Sequence, residues 1–123
     1  MNCSDLVDIL SADEQLAGLL AKTAQGPAIF QILSPEWDIY PRLAVTEINR
    51  KYTMFADDAP IEERVDFGID IFARENVLYA IQDRINTILR RHRFIRDDQV
   101  KDDYLPEIDI FVKTVRYSIR CCL

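Results

Sequence analysis

His92 and the thiols of Cys3, Cys121 and Cys122 are the side chains best suited to nucleophilic, redox or metal chemistry in this sequence. His92 follows a helix-like stretch and has no serine or cysteine in a nucleophile motif to act on. The cysteines form no C-x-x-C pair, and with His92 they match no zinc-ligand spacing. An odd count, with two adjacent, fits free thiols in a reducing compartment. Asp66 and Asp70 share one face of an alternating segment, but it is the face opposite the apolar residues, whereas acid–base work needs a cleft. The run Asp97-Asp98-Gln99-Val100-Lys101-Asp102-Asp103 lacks the glycine and closing glutamate of a calcium loop and carries a lysine in its middle. None of the 3 glycines belongs to a phosphate-cradling loop. No catalytic, cofactor-binding or metal-binding residue is read, no cofactor is expected, and the chain is not read as an enzyme.

Binding residues are more visible. Arg84, Arg90, Arg91, Arg93 and Arg96 would suit phosphate contacts, but they end a helix where cations are favoured, with Asp97, Asp98, Asp102 and Asp103 close by. The net charge of −6 and a pI near 4.7 oppose a broad nucleic-acid footprint or an anionic membrane surface. No apolar run is long enough to span a bilayer, and the first residues lack a basic segment followed by an apolar one. A second group comprises Trp37, Tyr40, Tyr52, Met54 and Phe55, with Asp57 and Asp58 beside them. These residues fall outside the regular apolar periodicities. They fit either an interface, which favours aromatic side chains and methionine, or a satellite core closing the end of a sheet.

The elements that position these groups follow from apolar spacing. At 123 residues the chain reads as one domain, 1–123. Residues 4–21 predict a helix with a break near Ser11, where Ser11 and Glu14 have capping-box spacing. Residues 28–33 predict a short strand and 34–41 a proline-bounded loop. A long strand over 42–55 is followed by turn chemistry at 57–60. Ile61, Glu63, Val65, Phe67, Ile69, Ile71 and Ala73 then alternate with polar residues, the pattern of a strand with one buried face. Asn76 is expected to cap a second helix through Arg91, residues 97–106 to form a charged loop, and 107–122 a strand. In that strand the apolar phase slips at Lys113-Thr114, which predicts a bulge or turn. The expected fold is α+β: two main helices on one face of a mostly antiparallel sheet of about four strands, with a long protruding hairpin. The hairpin tip, 52–62, is expected to serve contact between molecules.

This order of features resembles a family of small tail-completion proteins of long-tailed bacteriophages and prophages. The resemblance rests on an N-terminal helix followed by Ala28-Ile29-Phe30, then on Tyr40-Pro41-Arg42-Leu43-Ala44-Val45 as a proline-led strand entry. Val65-Asp66-Phe67-Gly68-Ile69-Asp70-Ile71-Phe72-Ala73, the helix after it and the closing Tyr117-Ser118-Ile119-Arg120 continue it along nearly the whole chain. It implies a virion assembly protein without catalytic residues, similar to ring-forming tail terminators, which are commonly hexamers. The implied partners are other copies of the chain, the tail tube protein and the head connector proteins. The implied locations are the host cytoplasm during assembly and the head–tail junction of the virion. Two other classes fit the bare sequence: a cytosolic oligomeric interaction module, and a small ligand- or nucleic-acid-binding regulator.

Overall fold

The computed structural model describes residues 1–32 and 38–123, with the backbone alone for 98–101. Trp37 and the first half of the loop expected over 34–41 lie outside the described residues.

Helix α1 (Cys3–Ser11) starts at Asn2. The Asn2 side chain accepts the Asp5 amide at 2.9 Å, and the Asp5 carboxylate accepts the Asn2 amide at 2.9 Å. This reciprocal box satisfies two donors that a helix start otherwise leaves open. Leu6 and Leu10, four apart, face inward. The expected break follows, but Asp13, not Ser11, caps the next helix. Its carboxylate accepts the Leu16 amide at 2.8 Å at the start of α2 (Glu14–Leu19). The small hairpin of β1 (Lys22–Thr23) and β2 (Gly26–Pro27) then reverses the chain, with Gly26 at φ 122.

The main sheet holds β3 (Ile29–Gln31), β4 (Arg42–Ala56), β5 (Ala59–Ala73), β6 (Ile95–Leu105) and β7 (Ile110–Cys122). Its spatial order is β3-β4-β5-β7-β6, with β3 parallel to β4 and every other neighbour antiparallel. Helix α3 (Leu78–Arg91) joins β5 to β6. Val77, which makes no side-chain cap bond, stands at its N-cap in place of the expected Asn76.

The expected arrangement of two main helices on about four strands is therefore corrected, among the described residues, to three short helices and a five-stranded mixed sheet, with a two-stranded sheet beside it. Two local causes account for this. The first helical stretch divides because Asp13 takes a cap position, where its side chain satisfies the backbone better than it would mid-helix. The expected loop over 97–106 belongs mostly to β6, an edge strand whose many charges mask its extended conformation.

Strand β5 is paired on both sides, so Val65, Phe67, Ile69, Ile71 and Ala73 on its inner face are fully enclosed. Leu6, Leu10 and Leu16 from α1 and α2, and Ile81, Ile85 and Leu89 from α3, complete the same core. The slip expected at Lys113-Thr114 is absent. Pairing of β7 with β5 runs unbroken from Glu62↔Cys122 to Ala73↔Phe111. Lys113 takes an inward position in line with Val115, Tyr117 and Ile119, and its ammonium reaches Asp102 at 2.9 Å. A buried lysine with a carboxylate partner looks, to an apolar count, like a change of phase. The register shift of β7's other pairing, with β6, lies between Arg96 and Val100 on the β6 side.

Candidate assembly interface

β4 and β5 turn at Asp57 and Asp58, whose φ values of 50 and 63 suit the two-residue primed turn of a tight hairpin. As far as Val45, β4 is buried; from Glu47 to its end it is exposed apart from the half-buried Thr53. A register shift between Glu47 and Asn49 marks where it leaves the core. Polar bonds hold the far half in place. The Arg50 guanidinium donates to Glu47 at 2.6 Å, to Glu63 at 2.5 Å and to the Met1 carbonyl at 2.7 Å. Thr53 donates to Glu62 at 2.7 Å. Arg50 thus ties the neck of the hairpin to the N-terminus and compensates the buried Glu63.

Among the described residues, this half of β4 is open on one side. β3 pairs with Leu43, Ala44 and Val45, and among the described residues β5 is the partner of β4 beyond them. An open edge offers unpaired backbone donors and acceptors to another chain. Along it, Tyr52 is 56%, Met54 51% and Phe55 60% exposed, and the Tyr52 and Phe55 rings meet edge to face at 6.1 Å. Two further exposed apolar residues, not singled out from the sequence for contact, lie on β5 and just past the end of β7. Ile61, expected on the buried face, is exposed because the pairing shifts between Met54↔Glu62 and Phe55↔Pro60. Exposed Leu123 donates its amide to the Ile61 carbonyl at 3.0 Å. A register shift in a half-polar strand leaves no apolar signature, so alternation did not reveal Ile61.

The remaining expected interface residues divide. Tyr40, half-buried and joined to Pro41 by a cis peptide bond, stands beside the opposite end of β4. The Arg42 guanidinium lies 4.6 Å from the Tyr40 ring and 4.5 Å from the Phe72 ring, and Arg74 lies 4.9 Å from the Tyr40 ring. Tyr40 also helps line a cleft of ≈ 430 Å³ with Leu19, Pro41, Arg74, Glu75 and Val77. Ten strand positions separate Arg42 from Tyr52, roughly 33 Å, so Tyr40 is not part of the hairpin patch. Tyr52, Met54, Phe55, Asp57 and Asp58 are brought together, and Trp37 lies outside the described residues.

The arginine cluster divides too. Arg84 grips Asp13 with two bonds, at 3.0 and 2.6 Å, pinning α3 to the start of α2. Those bonds hold the Asp13 carboxyl well below the usual carboxylate range, at about 2. Arg90 and Arg96 line a separate cleft. Asp66 accepts from Arg64 at 2.9 Å and Asp70 from Thr114 at 2.7 Å, so both carboxylates serve contacts on the outer face of the sheet. His92 stands exposed at the end of α3, and the three cysteines are free, with burial pushing the Cys3 thiol up. Among the described residues no three metal-binding side chains converge, and no helix is long and apolar enough to cross a membrane. No protein-family model matches the chain, and no curated protein matches it.

Proposed function

We propose that this is a non-enzymatic assembly protein that completes a phage tail and joins it to the head connector as a homo-oligomeric ring. The observation that carries the reading is the far half of the β4–β5 hairpin. Three large exposed side chains, Tyr52, Met54 and Phe55, lie along an open strand edge with a charged turn at its tip. An apolar patch with a polar rim has the make-up of a protein–protein interface. A solitary chain gains little stability from ordering so exposed a segment, because fixing each residue costs backbone entropy. A second copy presenting a different surface to this edge makes a head-to-tail contact, the kind that closes into rings. The extended pattern that resembles the tail-completion family turns this general assembly role into a specific one. On this reading the protein works in the host cytoplasm during assembly and ends at the head–tail junction.

The test is to incubate the purified protein with tail tubes and with connector-bearing heads, and to image the products by electron microscopy. Density capping one end of the tube, and heads joined only when the protein is present, are the expected results. Unmodified tube ends and unchanged joining would reject the tail role, whatever the oligomeric state.

A further inference from the structure

The cleft of ≈ 320 Å³ between the end of α3 and the start of β6 is lined by Asn86, Arg90, Phe94, Ile95, Arg96 and Tyr117. Its floor is built rather than incidental. Tyr117 is buried, and its hydroxyl donates to the Asn86 side-chain oxygen. Burial pushes the hydroxyl well above its ordinary range while Arg96 pulls it down, so it stays neutral. Asn86 also lines the cleft, and its side-chain amide nitrogen is a donor. Arg90 and Arg96 supply two cations. Neither forms an ion pair among the described residues, although the chain as a whole carries a charge of −6. Asp102, one of the acids expected to balance them, is instead paired with Lys113. Two guanidinium groups and an amide donor around one polar hollow make a receptor for carboxylates or phosphates.

We propose that this cleft receives the Asp57-Asp58 turn of a second copy of the chain. This rests on the ring reading above and deepens it by naming the contact. The two carboxylates sit side by side at an exposed turn that both positive φ values fix in place. Charge is complementary, two acids against two arginines. A chain's own turn cannot fill its own cleft. Tyr117 is opposite Phe67, and from there β5 runs eight positions to Ala59 at the turn, roughly 26 Å. The contact is therefore between copies, and it joins two different surfaces, as a closing ring requires.

The experiment is sedimentation of the full chain over a range of concentrations, with circular dichroism as the fold control. Asp57→Asn with Asp58→Asn removes the charges but keeps residues that tolerate a primed turn. That variant, and Arg90→Glu with Arg96→Glu, should each need about tenfold more protein to assemble. Adding Asp57→Asn and Asp58→Lys to the reversed cleft should restore most of the loss, a regain that a merely structural role for the arginines would not produce. If the parent assembles and both variants assemble equally well, or the combined variant shows no regain, the contact is wrong while the ring reading stands. A parent that stays monomeric, alone and with tail tubes, removes both. Salt-sensitive binding of a short DNA duplex, abolished by the cleft variant with assembly unchanged, would identify a phosphate site and overturn the contact.

Discussion

Phenylalanine occurs on both arms of the long hairpin in opposite surroundings, and truncating each one to alanine separates folding from assembly. Phe67 is 0% exposed on β5, between β4 and β7, with the Phe94 ring 6.2 Å away. Removing a fully buried phenyl ring loses its transfer free energy and leaves a cavity, about 3–5 kcal/mol in total. For 123 residues the entropy of unfolding is about 0.26 kcal/mol/K, so each kcal/mol moves the melting temperature by about 4 °C. Phe67→Ala should therefore melt about 12–20 °C below the parent. Phe55 is 60% exposed at the tip of β4, where no closed cavity can form. The part of its surface that is covered is worth about 0.5–1 kcal/mol, or about 2–4 °C. Calorimetry of both variants, with sedimentation in parallel, should show Phe67→Ala losing stability and Phe55→Ala losing association. Equal thermal losses would mean that the tip belongs to the fold, and the reasoning behind the interface would be refuted.

Three further outcomes follow from other parts of the molecule. Asp13→Asn keeps a competent helix cap but loses the ion pair with Arg84, and should cost about 1 kcal/mol near neutral pH in urea unfolding. Because the folded carboxyl is held at about 2 against an ordinary 3.8, that contribution is complete above the upper value and is lost as pH falls through the lower one. The gap between parent and variant should narrow across that window, and a constant gap would contradict the assignment. Gly68→Ala places a methyl 3.0 Å from the tip of the exposed Ile48 side chain, a flexible end that can shift by a few tenths of an ångström. Its stability should stay within about 1 kcal/mol of the parent, and a larger loss would show that Ile48 is fixed over Gly68. Replacing Cys3, Cys121 and Cys122 by serine should move the melting temperature by about 3 °C or less, with no effect of reductant on the parent, since all three thiols are free. A large response to reductant would reveal a disulfide.

The clearest element in the sequence is the inner face of β5, because a strand paired on both sides and covered on one face has to alternate. β6 was hidden for the converse reason. Charged residues keep an exposed edge strand from pairing with other chains, and the same charges make it look like a loop. Lys113 misled through chemistry, since its inward position depends on Asp102, which a count of apolar residues does not weigh. The candidate site was legible as composition, in Tyr52, Met54 and Phe55 falling out of register with the core. Which of the aromatic residues share a surface was not legible. Tyr40 precedes β4 and Tyr52 lies ten positions beyond its first residue, so the extended strand itself holds them apart. The Arg90 and Arg96 cleft depends on a turn after α3 and on the β6–β7 register, neither of which has a periodic signature.

If the far half of the hairpin joins copies of this chain, native mass measurement of the protein mixed with tail tubes should reveal it. The parent should give one discrete homo-oligomer bound to tubes. A folded variant with residues 54–61 replaced by an Asn-Gly turn should stay monomeric. A folded variant that still forms the same oligomer would show that the hairpin's far half does not join the copies.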